Sequence, residues 1–291
     1  MKIVVGFATA GRGDLMPKVI EKLSQQLRQP DAIYVCPASE ADYDPSKNTG
    51  FAIPIEVVKG NKGLPAQRNA IMKAVTDADA IVFFDDDFVA DRFFLQEVEA
   101  LLKNRPGVVM VTGDVLADGI NGPGISYEDA CQQVDQQGEL PVERVENVFN
   151  AYGCNMVVRM QPAREWGVWF DETLPLYGWW EDVDFSRRMA PYGGILKTNR
   201  LRGVHMGSKS GRTPGQKLGY SQVANIVYMM QKGSIPTDVG LVRISRNVIA
   251  NAIKQFKPEP WADRRGRFIG NIKAIGDCLK APADPQKALK L

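Results

Sequence analysis

Histidine occurs once in this chain of 291 residues, as His205, and cysteine four times, at Cys36, Cys131, Cys154 and Cys278, with no Cys-x-x-Cys pair. That scarcity and spacing argue against a zinc knuckle, a redox dithiol and a disulfide framework, and leave the four cysteines as reduced core residues. Long apolar runs are missing as well. No stretch approaches the about 20 residues needed to cross a bilayer. Met1-Lys2 leads into the short Ile3–Phe7 run and then into glycine and charge, not into a signal-peptide pattern. The chain is therefore expected to be cytoplasmic and not transmembrane. There is no internal repeat, no low-complexity segment, and neither a P-loop nor a dinucleotide glycine fingerprint.

Overall charge is also nearly absent, with 36 Lys/Arg against 34 Asp/Glu and a net +2. The balance hides an asymmetry. Leu241–Leu291 holds 11 basic and 4 acidic residues, which leaves 25 against 30 in the chain before it. A tail of formal charge +7 suggests an anionic partner such as a membrane surface, whereas no nucleic-acid motif accompanies it. What remains is ordinary for a folded protein: 44% hydrophobic and 24% charged residues, enough for one large α/β domain with an appendage or for two modest domains.

Apolar runs at Lys2–Thr9, Ala32–Cys36, Ile53–Val58 and Ala80–Phe84 read as strands, the third weakened by Pro54. Helices are expected between them. Leu15, Val19, Leu23 and Leu27 recur every four residues before Pro30, and Pro65 opens a helix that continues over Ala66–Val75. This β-α-β order implies an α/β fold with a mostly parallel sheet flanked by helices on both faces, with ligands at the carboxyl ends of the strands. Further on, Val108–Leu116, Asn155–Arg159 and Ile195–Thr198 read as strands. Helices are expected near Asp91 and at Tyr127–Gln137, Glu181–Ala190, Leu218–Met230 and Leu241–Phe256, the last with Leu241, Ile244, Val248, Ala252 and Phe256 on one stripe. The division expected is a catalytic domain over 1–215 and an amphipathic helical region over 216–291, basic from 241.

Three constellations carry chemistry. The strand Ala80–Phe84 runs straight into Asp85-Asp86-Asp87; three adjacent carboxylates repel one another, and a divalent cation relieves them. Glu181-Asp182 opens a helix after the aromatic cluster Tyr177-Gly178-Trp179-Trp180. One carboxylate there suits a general base towards a hydroxyl, and the rings suit the C–H faces of a sugar. His205 lies between glycines, and neutral imidazole is a common ligand for a divalent ion. The glycine-rich, basic Gly60–Asn69 segment at a helix start offers an anion cradle.

Taken in order, Phe7-Ala8-Thr9, Gly63-Leu64-Pro65-Ala66-Gln67-Arg68-Asn69, Phe83-Phe84-Asp85-Asp86-Asp87, Gly153-Cys154-Asn155-Met156, Glu181 to Arg188 and His205 resemble a family 2 glycosyltransferase of the GT-A fold. The resemblance covers roughly residues 2–232. It extends to Asn225, Tyr228 and Lys232, which are similar to the helix after the catalytic core of bacterial exopolysaccharide members. It implies Asp87 and His205 as ligands of Mn²⁺ or Mg²⁺, Asp85 and Asp86 at the nucleoside, and Thr9, Arg12 and Arg68 at the nucleotide. Asp182 is implied as the catalytic base, Glu181, Trp179, Trp180 and Asn155 at the sugar or acceptor, and Arg188 as a brace. The implied reaction is inverting transfer from a UDP-, GDP- or dTDP-sugar to a saccharide acceptor, lipid-linked in surface or exopolysaccharide assembly, with peripheral membrane contact through the C-terminal region and no nucleic acid.

Two departures stand out. Phe88 replaces a fourth acid-like position, and Glu40 and Asp42 both remain candidates for the acid that reads the base. The alternatives are a sugar-1-phosphate nucleotidyltransferase, whose glycine-rich signature is too short in Ala8–Gly13, and a non-catalytic nucleotide-sugar-binding assembly partner.

Overall fold

The computed structural model describes residues 1–48 and 50–291. The chain begins with strand β1 (Ile3–Thr9), helix α1 (Met16–Leu23), β2 (Ala32–Pro37), β3 (Ile55–Val57), α2 (Leu64–Ala74) and β4 (Ala80–Asp85). It continues through β5 (Phe88–Ala90), α3 (Phe94–Asn104), β6 (Val108–Asp118), α4 (Tyr127–Asp135), β7 (Val145–Asn147), β8 (Asn155–Arg159), α5 (Met160–Glu165), α6 (Glu181–Met189) and β9 (Gly194–His205). Three longer helices close it: α7 (Gly215–Gln231), α8 (Thr237–Lys254) and α9 (Arg264–Lys280).

The strands form one sheet in the order β3-β2-β1-β4-β8-β6-β9-β5, with β7 also on β9. β1, β2, β3 and β4 pair in parallel, and so do β6 and β9, while β8, β5 and β7 run antiparallel to their neighbours. The central strands are apolar on both faces because helices cover both. Alternation divides their side chains between two cores. Val5, Phe7, Val82 and Phe84 pack with α1, α3 and α4 on one face. Val4, Ile81 and Phe83 pack with α2, α5 and α6 on the other.

Several elements differ from their expected limits. α1 stops at Leu23 and leaves Leu27 58% exposed. The Gln26 side chain takes over there, donating to Asp91 O at 2.7 Å and accepting from Leu95 N at 3.0 Å. Asp91 does not open a helix; its Oδ1 accepts from Phe93 N ahead of α3, and the short β5 intervenes. β9 is three times the expected length, with register shifts against β6. At one shift Gly113 is obligatory, since a Cβ there would lie 1.8 Å from Leu201 O. The polar alternation of Asn199-Arg200-Leu201-Arg202 hid this strand from a reading of apolar runs.

α7, α8 and α9 pack on one another and, through Trp179, Trp180 and Leu176, against the segment before α6. α7 and α9 approach closely because Gly219 sits 2.0 Å, measured from its missing Cβ, from Arg267 O. Asn251 donates to Gln222 Oε1 and Asn271 Oδ1, both at 2.9 Å, and Asn271 donates to Gly219 O at 2.7 Å, so buried amides link all three helices. The stripe expected on α8 is only partly right. Ile244, Val248 and Ala252 turn inwards, but Leu241 and Phe256 are exposed.

Candidate active site

β4 delivers Asp85 at its carboxyl end, and Asp87 precedes β5, whose Phe88 pairs with His205 across an antiparallel register. This register brings residues 118 positions apart together. One ligand atom each from Asp85, Asp87 and His205 lies within 4.8 Å of the others. His205 Nε2 is 3.4 Å from Asp87 Oδ1 and 3.9 Å from Asp85 Oδ2, while Nδ1 is 2.9 Å from Asp118 Oδ1. Asp118, at the end of β6, was not anticipated. Its only sequence signal is an acid closing a strand, and Tyr152 Oη donates to its other oxygen at 3.1 Å.

The donor set fits a divalent cation. Asp87 Oδ1 is buried with no hydrogen bond, while Oδ2 accepts from Ser208 N at 2.7 Å. Asp118 accepts from Nδ1–H, which orients the imidazole and leaves Nε2 towards the acids. Burial opposes charge on Asp87, but the nearby His205 and the Arg12 charge outweigh it and hold its carboxyl at about 2. His205 itself, although buried, is raised to about 10 by Asp118 and Asp87. Nε2 would have to give up its proton to hold a metal ion here.

Arg12, in the turn after β1, pairs with Asp86 and lies 3.1 Å from Asp87 Oδ1. Asp86 is therefore committed to a protein cation, and burial pushes it up despite Arg12. The guanidinium also reaches Ser208 O and Ser210 O, both at 3.4 Å. Gly11 and Gly211 meet behind it, both at positive φ, and a Cβ on Gly211 would stand 2.2 Å from Ala10 O. Of the two acids left open by the sequence, Asp42 reaches this turn, accepting from Gly11 N at 2.5 Å, while Glu40 is exposed. Lys209 and Arg212 lie on the adjoining loop. Burial and the Arg212 charge press Lys209 down to about 8, and Arg267 of α9 adds to that repulsion. Thr9 is buried at the end of β1.

On the opposite side, Trp180 in a left-handed conformation (φ 69°) turns the chain into α6. Asp182 Oδ2 accepts from Gly153 N at 3.0 Å and Oδ1 from Val183 N at 2.9 Å. Burial raises its pKa against those bonds. Glu181 pairs with Arg68, and burial pushes this carboxyl up as well. Arg68 also donates to Asp85 Oδ1 at 3.1 Å and Gly153 O at 2.9 Å. It is 1% exposed, so it ties α2, β4 and α6 together and spends its donors on protein acceptors. Asn155 is fully buried beneath the site and accepts from Thr112 Oγ1 and Gly113 N. Arg188 donates to Asp184 Oδ2 at 2.9 Å within α6. Lys232 bridges Asp184 and Asp171, and Tyr228 Oη donates to Asp171, so α7 is locked to α6. Trp179 and Trp180 are half-buried under Arg243 of α8.

No family model matches the chain, and no curated protein sequence matches it. Solved structures do. The mannosyltransferase PcManGT from Pyrobaculum calidifontis, in complex with GDP-Man and Mn²⁺, aligns with 99% of this chain and 78% of its own at 14% identity and a TM-score of 0.57. S. aureus TarS 1–349 in complex with UDP-GlcNAc aligns with 99% of this chain and 83% of its own, at 14% identity and 0.56. Glucosyl-3-phosphoglycerate synthase from Mycobacterium tuberculosis, in complex with Mn²⁺, UDP and phosphoglyceric acid, aligns with 81% and 80%, at 13% identity and 0.51. This chain shares their fold, the GT-A arrangement expected from its motifs.

Proposed function

We propose that this chain is a metal-dependent glycosyltransferase that moves a sugar from a nucleoside-diphosphate donor to an acceptor hydroxyl, with inversion at the anomeric carbon. The observation that carries the reading is the Asp85–Asp87–His205 group, with a buried Asp87 oxygen that faces His205 and Arg12 without a hydrogen bond and an imidazole oriented by Asp118. These three residues would hold Mn²⁺ or Mg²⁺, which when bound neutralises charge on the departing diphosphate. Lys209, Arg212 and Arg267 supply further positive charge on the same side. The nucleoside belongs at the ends of β1 and β2, where Thr9, Arg12 and Asp42 gather. Asp182, half-buried and raised in pKa, takes the proton of the acceptor hydroxyl. One base and an activated donor suffice for a single displacement, so no protein nucleophile is needed.

The acceptor assigned here is a lipid-linked saccharide in surface-polysaccharide assembly. Val242, Ile249 and Ile253 share one exposed face of α8 with Arg246, and Phe256 continues it just past the helix end. Apolar residues flanked by Arg246, Lys254 and Lys257 suit a helix lying in a membrane interface. No helix among the described residues is long and apolar enough to cross a membrane.

A thermal-shift screen of UDP, GDP, CMP and dTDP with Mn²⁺ tests the donor site. One nucleoside diphosphate should stabilise the protein by about 2.7 kcal/mol at a hundredfold excess over its Kd, and only with metal. Asp87→Ala should lose this response. Asp182→Asn should keep it while nucleotide release from the matching sugar donor falls by about 10²–10⁴-fold. Failure of every nucleotide to bind, or full turnover by Asp182→Asn, would defeat the reading.

A further inference from the structure

Arg243 is a cation without a counter-ion. It is half-buried on α8, its Nε is buried without a hydrogen-bond partner, and among the described residues no carboxylate oxygen lies within 4.0 Å of it. Its guanidinium carbon stands 5.5 Å from the Trp179 ring centre and 5.3 Å from that of Trp180. The rings stabilise the charge but accept none of its N–H bonds. Burial and neighbouring Arg246 depress its pKa, and Asp182 is the one carboxylate whose charge opposes them.

Other donors nearby are equally unanswered. Trp179 Nε1 is buried and unpartnered, and so is Nδ2 of Asn247, one turn along the same face of α8. Asn225 of α7 donates from Nδ2 to Trp179 O at 3.1 Å and leaves its Oδ1 without a donor. Three buried donors, one of them on a guanidinium, beside one free acceptor, describe an incomplete hydrogen-bonding site. A neutral hydroxyl can answer Asn225, but only an anion compensates Arg243.

We propose that Arg243, Asn247 and Trp179 form an acceptor subsite for an anionic group, phosphate or carboxylate, carried by the molecule whose hydroxyl meets Asp182. This deepens the transferase reading and rests on its assignment of Asp182. The C-terminal helices then contribute to acceptor choice: a saccharide lacking the anion leaves a buried charge uncompensated and is rejected.

The full chain labelled with 5-fluorotryptophan tests the subsite by ¹⁹F NMR, without metal or nucleotide. Its five tryptophans are assigned by single Trp→Phe replacements. Inorganic phosphate or acetate, at constant ionic strength, should shift the Trp179 and Trp180 resonances and leave those of Trp166, Trp169 and Trp261 in place. Glucose 1-phosphate should bind about tenfold or more tightly than glucose. Arg243→Gln should abolish that difference and Arg243→Lys restore part of it, with the three distant resonances reporting that each variant is folded. A response to phosphate alone assigns a phosphorylated acceptor, and one to acetate alone an acidic sugar. Shifts that survive Arg243→Gln, equal binding of glucose and its phosphate, or a response only to phosphatidylglycerol vesicles would overturn the proposal. Failure of the transferase reading shows separately, as absent metal-dependent nucleotide binding.

Discussion

Ionisation of Asp182 is disfavoured, because its surroundings desolvate the carboxylate more than the Gly153 and Val183 amides repay. If Asp182 is the base proposed above it must be deprotonated to act, so a raised pKa moves the acid limb of kcat/KM upwards in pH. The limb should lie above the about 3.9 of an unperturbed aspartate, with activity falling as pH drops through it. A pH–rate profile on the donor nucleotide identified by the screen checks this; a limb at or below about 4 contradicts it. At this scale the acids Asp85–Asp87 and Asp182 drew notice in the sequence, because acids ending an apolar strand, or following two tryptophans, need an explanation, and the fold brings Asp85 and Asp87 together with His205. Asp118 was not, since its function depends on β6 lying beside β9, a pairing across 87 residues. Arg68 shows the reverse case. Its motif drew attention to the nucleotide, whereas its buried ion pairs with Glu181 and Asp85 could not be read from the motif.

Among the elements, apolar continuity decided what could be read. β1, β2, β4 and β8 were visible within a residue or so, because strands covered on both faces need unbroken apolar runs. The later half of β9 carries arginines whose charges are answered by Glu97 and Asp91, partners that only the fold supplies. α9 was not delimited within the helical region expected over 216–291, since its buried face is made of Gly270, Asn271 and Ala274 instead of large apolar residues. That small-residue contact makes a sharp prediction. Gly219→Val drives a side chain into Arg267 O, which lies 2.0 Å from the ideal Cβ position, and should cost about 1–3 kcal/mol or more in urea unfolding. Gly276→Ala, on the same bundle with nothing within 4 Å of its Cβ, should be neutral or stabilise by up to about 1 kcal/mol. Equal effects from the two would show that the glycine contact does not set the spacing of α7 and α9.

Across the whole molecule, the acidic body and basic tail read from composition map onto different structures: the sheet with its metal-capable cluster, and the helices that carry Arg243, Arg267 and the exposed apolar face of α8. If that face seats in a membrane interface, the protein should co-sediment with phosphatidylglycerol vesicles and be released by salt. Ile253→Glu with Phe256→Glu should weaken binding by at least about tenfold, given roughly 1.5–3 kcal/mol for burying one large apolar side chain. Undiminished binding by this variant would remove α8 from the interface. The contact between Gly11 and Gly211 spans nearly the whole sheet-forming part of the chain, and it joins backbone to backbone. No side chain on one partner can make room for a side chain on the other. Among descendants of this sequence that keep the contact, the two positions therefore cannot trade substitutions, and they leave no correlated change for a covariation method to find. One of the longest-range constraints in the fold would register there only as two columns that do not vary.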